Sequence, residues 1–135
     1  MAVQNFIVPV LGHLCGATSL ATKQFYFVGL NTSGTVDICN IGDPGFLGVL
    51  LNKPGIGEVC QIAGPGSIVP VKMAALIAVG SLVKCHTDGT AIVAGNAAYA
   101  IGLNLEASAA ASEYCRCLIW FPNSIADVSE FSNCA

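Results

Sequence analysis

Charged side chains are scarce in this sequence, and their scarcity limits what the protein can do alone. Only 13 of the 135 residues are charged, or 10%, where about 25% is typical of soluble domains. Folded as a monomer, a chain of this size would expose roughly 6,600 Å², with about one charge per 500 Å². Large apolar patches on such a surface usually mark interfaces. We therefore expect much of the surface to lie against other protein chains.

Basic residues and long apolar runs are also lacking, which excludes two classes of partner. Five basic residues and a net charge of −3 argue against nucleic acid, because phosphate binding needs clustered Lys and Arg. The longest apolar run, Met73–Val83, has 11 residues, whereas a membrane-spanning helix needs about 20. The N-terminus has no basic segment of the kind that begins a signal peptide. The sequence thus predicts a soluble, cytoplasm-made protein with no nucleic-acid or membrane partner.

The cysteine pattern predicts neither a disulfide framework nor a metal site. The seven cysteines are an odd number and no secretory signal accompanies them, so we expect reduced thiols that pack as small hydrophobes. Cys115 and Cys117 would share a strand face, but no second pair at metal-binding spacing follows them. We expect no metal and no cofactor. The cysteines stand at positions 15, 39, 60, 85, 115, 117 and 134.

No catalytic constellation is visible either, and the sequence predicts a protein that is not an enzyme. His13 is isolated between glycine and leucine, and Cys85 and His86 are adjacent. Neighbouring residues of a strand point to opposite faces, so Cys85 and His86 would not form a nucleophile–base pair. Two alternatives stay open at this stage. One is a small β-fold carrier or ligand-binding module, and the other is a Cys-dependent enzyme.

The chain instead has short apolar runs separated by Gly, Pro, Asp, Asn and Ser, a pattern typical of all-β domains. We predict one β domain over residues 23–121, an N-terminal arm over 1–22 and a C-terminal extension over 122–135. Residues 106–112 are predicted to be a loop, and Gly80 a turn before a strand. The predicted strands are Gln24–Leu30, Val36–Asn40, Gly45–Leu51, Val59–Ala63, Ser67–Val71, Leu82–His86, Ala91–Ala94, Ala98–Leu105 and Tyr114–Phe121.

An internal repeat runs through this domain. Residues 33–63 and 88–119 align with an offset of 54 to 55, pairing Ser33-Gly34-Thr35 with Asp88-Gly89-Thr90 and Glu58-Val59-Cys60 with Glu113-Tyr114-Cys115. We predict that Gly34 and Gly89 occupy equivalent hairpin turns, where positive φ favours glycine. Gly48 and Gly102 should occupy equivalent mid-strand positions. The predicted fold is a compact β-barrel or sandwich built from two similar β units that share one core.

Residues 42–119 resemble the small capsid cement, or head decoration, proteins of tailed bacteriophages. The resemblance rests on "NKPGIGE" (52–58), "VGSLV" (79–83), the "DG" turn (88–89) and "AIGLNLEASAA" (100–110). It implies a non-enzymatic β domain on the exterior of the capsid that stabilises the phage head. The implied partners are the major capsid protein and further copies of itself, as a homotrimer or a dimer. The protein would be made in the host cytoplasm and end in the virion.

The N-terminal arm is our candidate for contact with the capsid. Its apolar residues follow no long helical period, and an irregular arm can become ordered when it docks. The candidate contact residues are Phe6, Ile7, Val8, Val10 and Leu11.

Overall fold

The computed structural model describes residues 5–10, 12–39, 45–95, 100–107 and 113–119. These ranges contain ten β-strands and no helix, which confirms the predicted all-β class. Within the same ranges, no helix has the length and apolar character needed to cross a bilayer. The strands are β1 (Pro9–Val10), β2 (Phe27–Leu30), β3 (Val36–Ile38), β4 (Phe46–Leu50), β5 (Ile62–Ala63), β6 (Ile68–Lys72), β7 (Leu82–Cys85), β8 (Ala91–Val93), β9 (Gly102–Asn104) and β10 (Tyr114–Ile119).

The strands form two antiparallel sheets of five, arranged as a sandwich. The first sheet has the order β1-β5-β4-β2-β3, and the second has the order β6-β10-β9-β7-β8. Adding five to each strand number of the first sheet gives the second sheet. We call β1–β5 (residues 9–63) the first unit and β6–β10 (residues 68–119) the second unit. The prediction of two similar β units is confirmed.

The residue pairing shows that the two units match strand by strand. Val28 pairs with Gly48 in the first unit, and Val83 pairs with Gly102 in the second. The equivalent residues Val28 and Val83, and Gly48 and Gly102, are separated by the same 54 to 55 residues as the sequence repeat. The two predicted mid-strand glycines are therefore equivalent, although Gly102 is the first residue of its strand.

The matching units reach further than the sequence repeat, because they include β1 and β6. Pro9 pairs with Ala63, and Ile68 pairs with the equivalent residue Leu118. Part of the predicted N-terminal arm thus contributes a strand to the first sheet. The sequence pattern missed β1 because Pro9 lacks a backbone N–H and the strand has two residues. The C-terminal extension 122–135 lies outside the described residues.

Glycine is required at both mid-strand positions by the close approach of the neighbouring strand. A Cβ on Gly48 would collide with the carbonyl oxygen of Ala63, and Gly48 has a φ of 152° that disfavours other residues. A Cβ on Gly102 would lie 2.8 Å from the carbonyl oxygen of Leu118. Ala63 and Leu118 are themselves equivalent. Each unit therefore has the same close backbone contact, which leaves no room for a side chain at the glycine.

The predicted turns also adopt the expected conformation. Gly34 has a φ of 80° and Gly89 a φ of 84°. Each turn is held by a polar side chain: Asn31 Oδ1 accepts from the N–H and hydroxyl of Thr35, and Asp88 Oδ1 accepts from both groups of Thr90. The turn before β7 also occurs, with Gly80 at a φ of 83°.

The core has two parts, and the larger part joins the units. It combines Phe27, Phe46, Val49 and Ala63 of the first unit with residues of β6, β7, β8 and β10, and with Ile101, which precedes β9. The smaller cluster lies within the first unit and is composed of Cys15, Leu20, Val28, Val36, Leu50, Cys60 and Ile62.

Candidate interaction surface

The N-terminal segment, residues 5–8, runs along the edge of the second sheet. Phe6 and Ile68 exchange backbone hydrogen bonds of 2.9 and 2.6 Å. The N–H of Val8 donates to Ser67 Oγ at 2.8 Å. Arg116 Nε donates to Asn5 Oδ1 at 2.8 Å, and its guanidinium pairs with Glu106 at 3.3 Å. This segment is therefore tethered to β6 and β10 by backbone and side-chain bonds.

The tethered segment nevertheless exposes apolar side chains. Phe6 is 60% exposed, Ile7 46% and Val8 39%, whereas Val10 is half-buried against the first unit's own cluster. Leu11, the fifth candidate contact residue, lies outside the described residues. Three of the five candidates therefore form a strip of apolar surface beside β6.

A second apolar feature crosses the outside of the second sheet. Leu82 pairs with Leu103, and Leu103 pairs with Leu118. Directly paired residues of antiparallel strands project from the same face, so these leucines form a row, which we call the second-unit row. Leu118 pairs with Ile68, which bridges to Phe6, so the row continues into the N-terminal segment. All three leucines are half-buried.

The first unit has the same row in a different environment. Phe27 pairs with Val49, and Val49 pairs with Ala63; we call these three residues the first-unit row. All three are completely buried in the core that joins the units. The same position in the fold is thus interior in one unit and surface in the other.

The junction between the units is held by aromatic residues and backbone bonds. The Phe25 ring meets Tyr114 edge-on at 5.5 Å, and Lys72 Nζ lies 5.5 Å from the centre of the Tyr26 ring. Phe25 has a φ of 67°, a conformation that side chains rarely adopt. Its counterpart is Gly80, because their N–H groups donate to the equivalent carbonyls of Leu50 and Asn104.

The far edge of the first unit also exposes apolar residues. Leu14 and Val59 pair in an isolated antiparallel bridge and are 44% and 55% exposed. Nearby, Ile56 is 65% exposed. The residues equivalent to Leu14 and Val59 in the second unit are Lys72 and Tyr114, which contact Tyr26 and Phe25 of the first unit at the junction.

The described cysteines are all buried, and three of them have unfavourable environments for a thiolate. Burial, followed by the charge of Cys15, raises the pKa of Cys60 to about 11. Burial, followed by the charges of Cys115 and Glu106, raises the pKa of Cys117 to about 12. Burial also raises the pKa of Cys115. Because the thiolate is the nucleophile, these three side chains are poorly suited to attack a substrate.

The adjacent Cys85 and His86 do not form a nucleophile–base pair. Cys85 Sγ contacts the carbonyl oxygen of Cys39 at 2.6 Å in the core, whereas His86 Nδ1 lies 3.3 Å from the Asp88 carboxylate in the exposed turn. The described part of the chain brings together no group of three or more His, Cys, Asp or Glu side chains able to hold a metal ion.

Comparisons with known protein families and with curated protein sequences find no significant match. Among solved structures, the head fiber gp8.5 N base of bacteriophage phi29 is similar, with a TM-score of 0.67 and 14% sequence identity. The alignment covers 83% of this chain and 94% of that chain. The match shows that the two proteins share a fold over nearly the whole of the compared structure.

Proposed function

We propose that this chain is a structural protein of a phage head, which binds the outer surface of the capsid and stabilises it. The observation that carries the proposal is the shared fold with the phi29 head fiber base. The sequence resemblance to cement proteins over residues 42–119 supports it from a separate direction. The proposed partners are the major capsid protein and other copies of this chain, with the virion exterior as the final location.

The surface supports a role in binding and not in catalysis. Charge is scarce, and apolar side chains such as Phe6 and Ile7 are in contact with water. Burying them against a partner is favourable by about 25 cal/mol per Å² of apolar surface removed from water. The raised pKa values of Cys60 and Cys117 disfavour the Cys-dependent enzyme. We therefore assign the exposed strip at residues 6–8 to the capsid contact.

Stabilisation of the capsid would follow from linkage. A protein that binds the assembled shell, and not its separated subunits, shifts the equilibrium toward the shell. Each bound copy adds to the effect, because the shell presents the same site many times. The N-terminal segment suits this role because its hydrogen bonds to Ile68 and Ser67 already hold it in place. Docking then orders fewer groups than a free arm would need.

The test is to titrate bare expanded capsids with purified protein and to measure occupancy and the melting temperature of the shell. We expect saturable binding and a raised melting temperature. Ile7→Glu should weaken binding, because it places a charge in the apolar contact. Leu76→Glu is the matched control, since Leu76 is exposed apolar surface on another part of the molecule. Absence of binding by the unaltered protein would refute the function, and full binding by Ile7→Glu would refute the contact.

Point substitutions are preferable to removal of the predicted arm. Deleting residues 1–14 would also delete β1 and its pairing with Ala63 and Ile62. A loss of binding could then reflect loss of the first sheet. Ile7→Glu leaves the pairing of β1 intact.

A further inference from the structure

The contact between the two units in one chain has a defined geometry. The N–H of Phe27 donates to the carbonyl of Gly89 at 2.8 Å, and the N–H of Lys72 donates to the carbonyl of Phe25 at 3.0 Å. The second unit therefore presents its hairpin turn and the Lys72–Tyr114 edge to the first unit. The first unit presents Phe25, Tyr26 and the first-unit row.

Both sides of this contact have equivalents that remain on the surface. The turn equivalent to the buried Gly89 is exposed over residues 31–34. The edge equivalent to Lys72–Tyr114 is the exposed pair Leu14–Val59. On the other unit, the equivalent of the buried first-unit row is the half-buried second-unit row. The turn, the edge and the row of the internal contact thus each have an accessible equivalent in the same chain.

We propose that a second copy of this chain binds by repeating the internal contact between molecules. The turn 31–35 and the Leu14–Val59 edge of one copy cover the second-unit row of the next. The backbone groups at Leu14 and Gly80 then correspond to the internal bond between Lys72 and Phe25. Such a contact joins two different surfaces, so it is heterologous and either closes into a ring or extends as a chain.

We propose a second copy as the occupant because the two units of one chain already make an equivalent contact with each other. The first-unit edge and the second-unit edge share strand order and register. Within the chain, the second-unit edge bonds to Phe25, which lies two residues before the first-unit row begins at Phe27. The residues named in both halves are apolar: the edge is Leu14 and Val59, and the row is three leucines. A core of this composition is typical of subunit interfaces. The inference rests on the homo-oligomer part of the proposed function and deepens it.

The test is sedimentation velocity of the full-length protein over a range of concentrations, without capsid. The unaltered protein should form oligomers above the 13.8 kDa monomer. Val59→Glu, at an exposed edge position, and Leu103→Thr, in the row, should each weaken self-association about tenfold or more. Leu82→Thr replaces Leu103→Thr if that variant does not fold. Leu76→Glu, outside both surfaces, should associate normally.

Mixing the two variants provides the sharpest readout. Val59→Glu keeps an intact row and Leu103→Thr keeps an intact edge, so an equimolar mixture should form dimers that contain one copy of each. If one row instead paired with another row, Val59→Glu would self-associate unaided, and mixing would give no rescue because each mixed pair would contain one damaged row. Monomers at all concentrations, or self-association by Val59→Glu alone, would overturn the proposal.

Capsid binding separates this inference from the proposed function. If the protein decorates capsids but never self-associates, the function stands and the interface is wrong. If Leu103→Thr self-associates normally but no longer binds capsid, the second-unit row faces the capsid, which also overturns the interface. If the protein self-associates and ignores capsids, the interface stands and the proposed function fails.

Discussion

The first-unit row and the second-unit row occupy the same register in the same fold, yet one is core and the other is surface. Phe27, Val49 and Ala63 are completely buried because the second unit lies over them. Their counterparts Leu82, Leu103 and Leu118 are half-buried, and the described residues contain no third unit that would cover them. The residues on the two rows are apolar in both cases. The difference shows that the duplicated unit keeps the same apolar face where no other described unit lies over it.

The largest effect is expected at the close backbone contact that each unit makes between a glycine and the neighbouring strand. Gly48→Ala should lower the free energy of unfolding by about 4–5 kcal/mol, because the new Cβ meets the carbonyl of Ala63 at a strained φ. Gly102→Ala is the matched variant and should lower the free energy of unfolding less. Its Cβ would lie 2.8 Å from the Leu118 oxygen, farther than the Cβ at Gly48 would lie from the Ala63 oxygen. Urea unfolding followed by circular dichroism measures both. Equal losses would contradict the difference in strand spacing.

The next largest effect on stability is expected when one side chain in each row is truncated to alanine. Phe27→Ala should cost about 3–4 kcal/mol, because it leaves a cavity in the core that joins the units. Leu82→Ala, at the equivalent position, should cost about 1 kcal/mol, since the side chain is half-buried and solvent can fill the space. The experiment uses dilute protein, so that self-association does not contribute. A Leu82→Ala loss as large as that of Phe27→Ala would show that the second-unit row is covered.

Asn104 marks a smaller difference between the units, because the first unit has Leu50 at the same position. The Asn104 side-chain amide donates to the carbonyls of Ile77 and Ala78, each at 3.2 Å. Asn104→Leu should therefore cost about 1–2 kcal/mol and speed hydrogen exchange in residues 77–81. Leu50→Asn buries an amide in an apolar cluster, so it should lower the free energy of unfolding more than Asn104→Leu does. Unchanged exchange in Asn104→Leu would contradict the anchoring role.

The buried thiols should give the smallest effect, visible at alkaline pH. The pKa of Cys60 is raised from 9.0 to about 11 in the folded protein, so the folded state favours the neutral thiol. Its contribution to stability is complete below the unfolded pKa and is lost as the pH rises toward about 11. Stability measured across this window should fall less in Cys60→Val than in the unaltered protein.

Thiol titration provides the accompanying check on the cysteines. Freshly denatured protein should yield close to the seven thiols of the sequence. In the native protein at neutral pH, Cys60 and Cys117 should resist alkylation because both are buried and protonated. Rapid native alkylation of either residue would contradict their assignment to the core.

Much of the fold could be predicted from the sequence, because short apolar runs between turn residues specify strands directly. All nine predicted strands overlap observed ones, and the repeat located Gly48 and Gly102 correctly relative to each other. The strand β1 was missed because Pro9–Val10 carries little pattern of its own and is fixed by pairing with β5. Local sequence also holds no signal for the positive φ of Phe25, which lies at the junction.

The candidate surface was harder to predict than the fold. Exposure of Phe6 and Ile7 follows from their place in an irregular segment. The second-unit row could not be predicted, because Leu82, Leu103 and Leu118 look like ordinary core residues in their strands. Their exposure depends on which face of each unit the other unit covers, and long-range packing alone determines that. Alternation along β7, β9 and β10 assigns these leucines to one face of the sheet, but it does not show which face the other unit covers.

Electron microscopy of capsids with and without this protein tests the central claim most directly. Capsids assembled from the major capsid protein should gain discrete density on their outer face when the purified protein is added. Ile7→Glu should reduce that density and Leu76→Glu should not. Identical images of the shell with and without saturating protein, or added density confined to the interior, would contradict the assignment of this chain to the outside of a phage head.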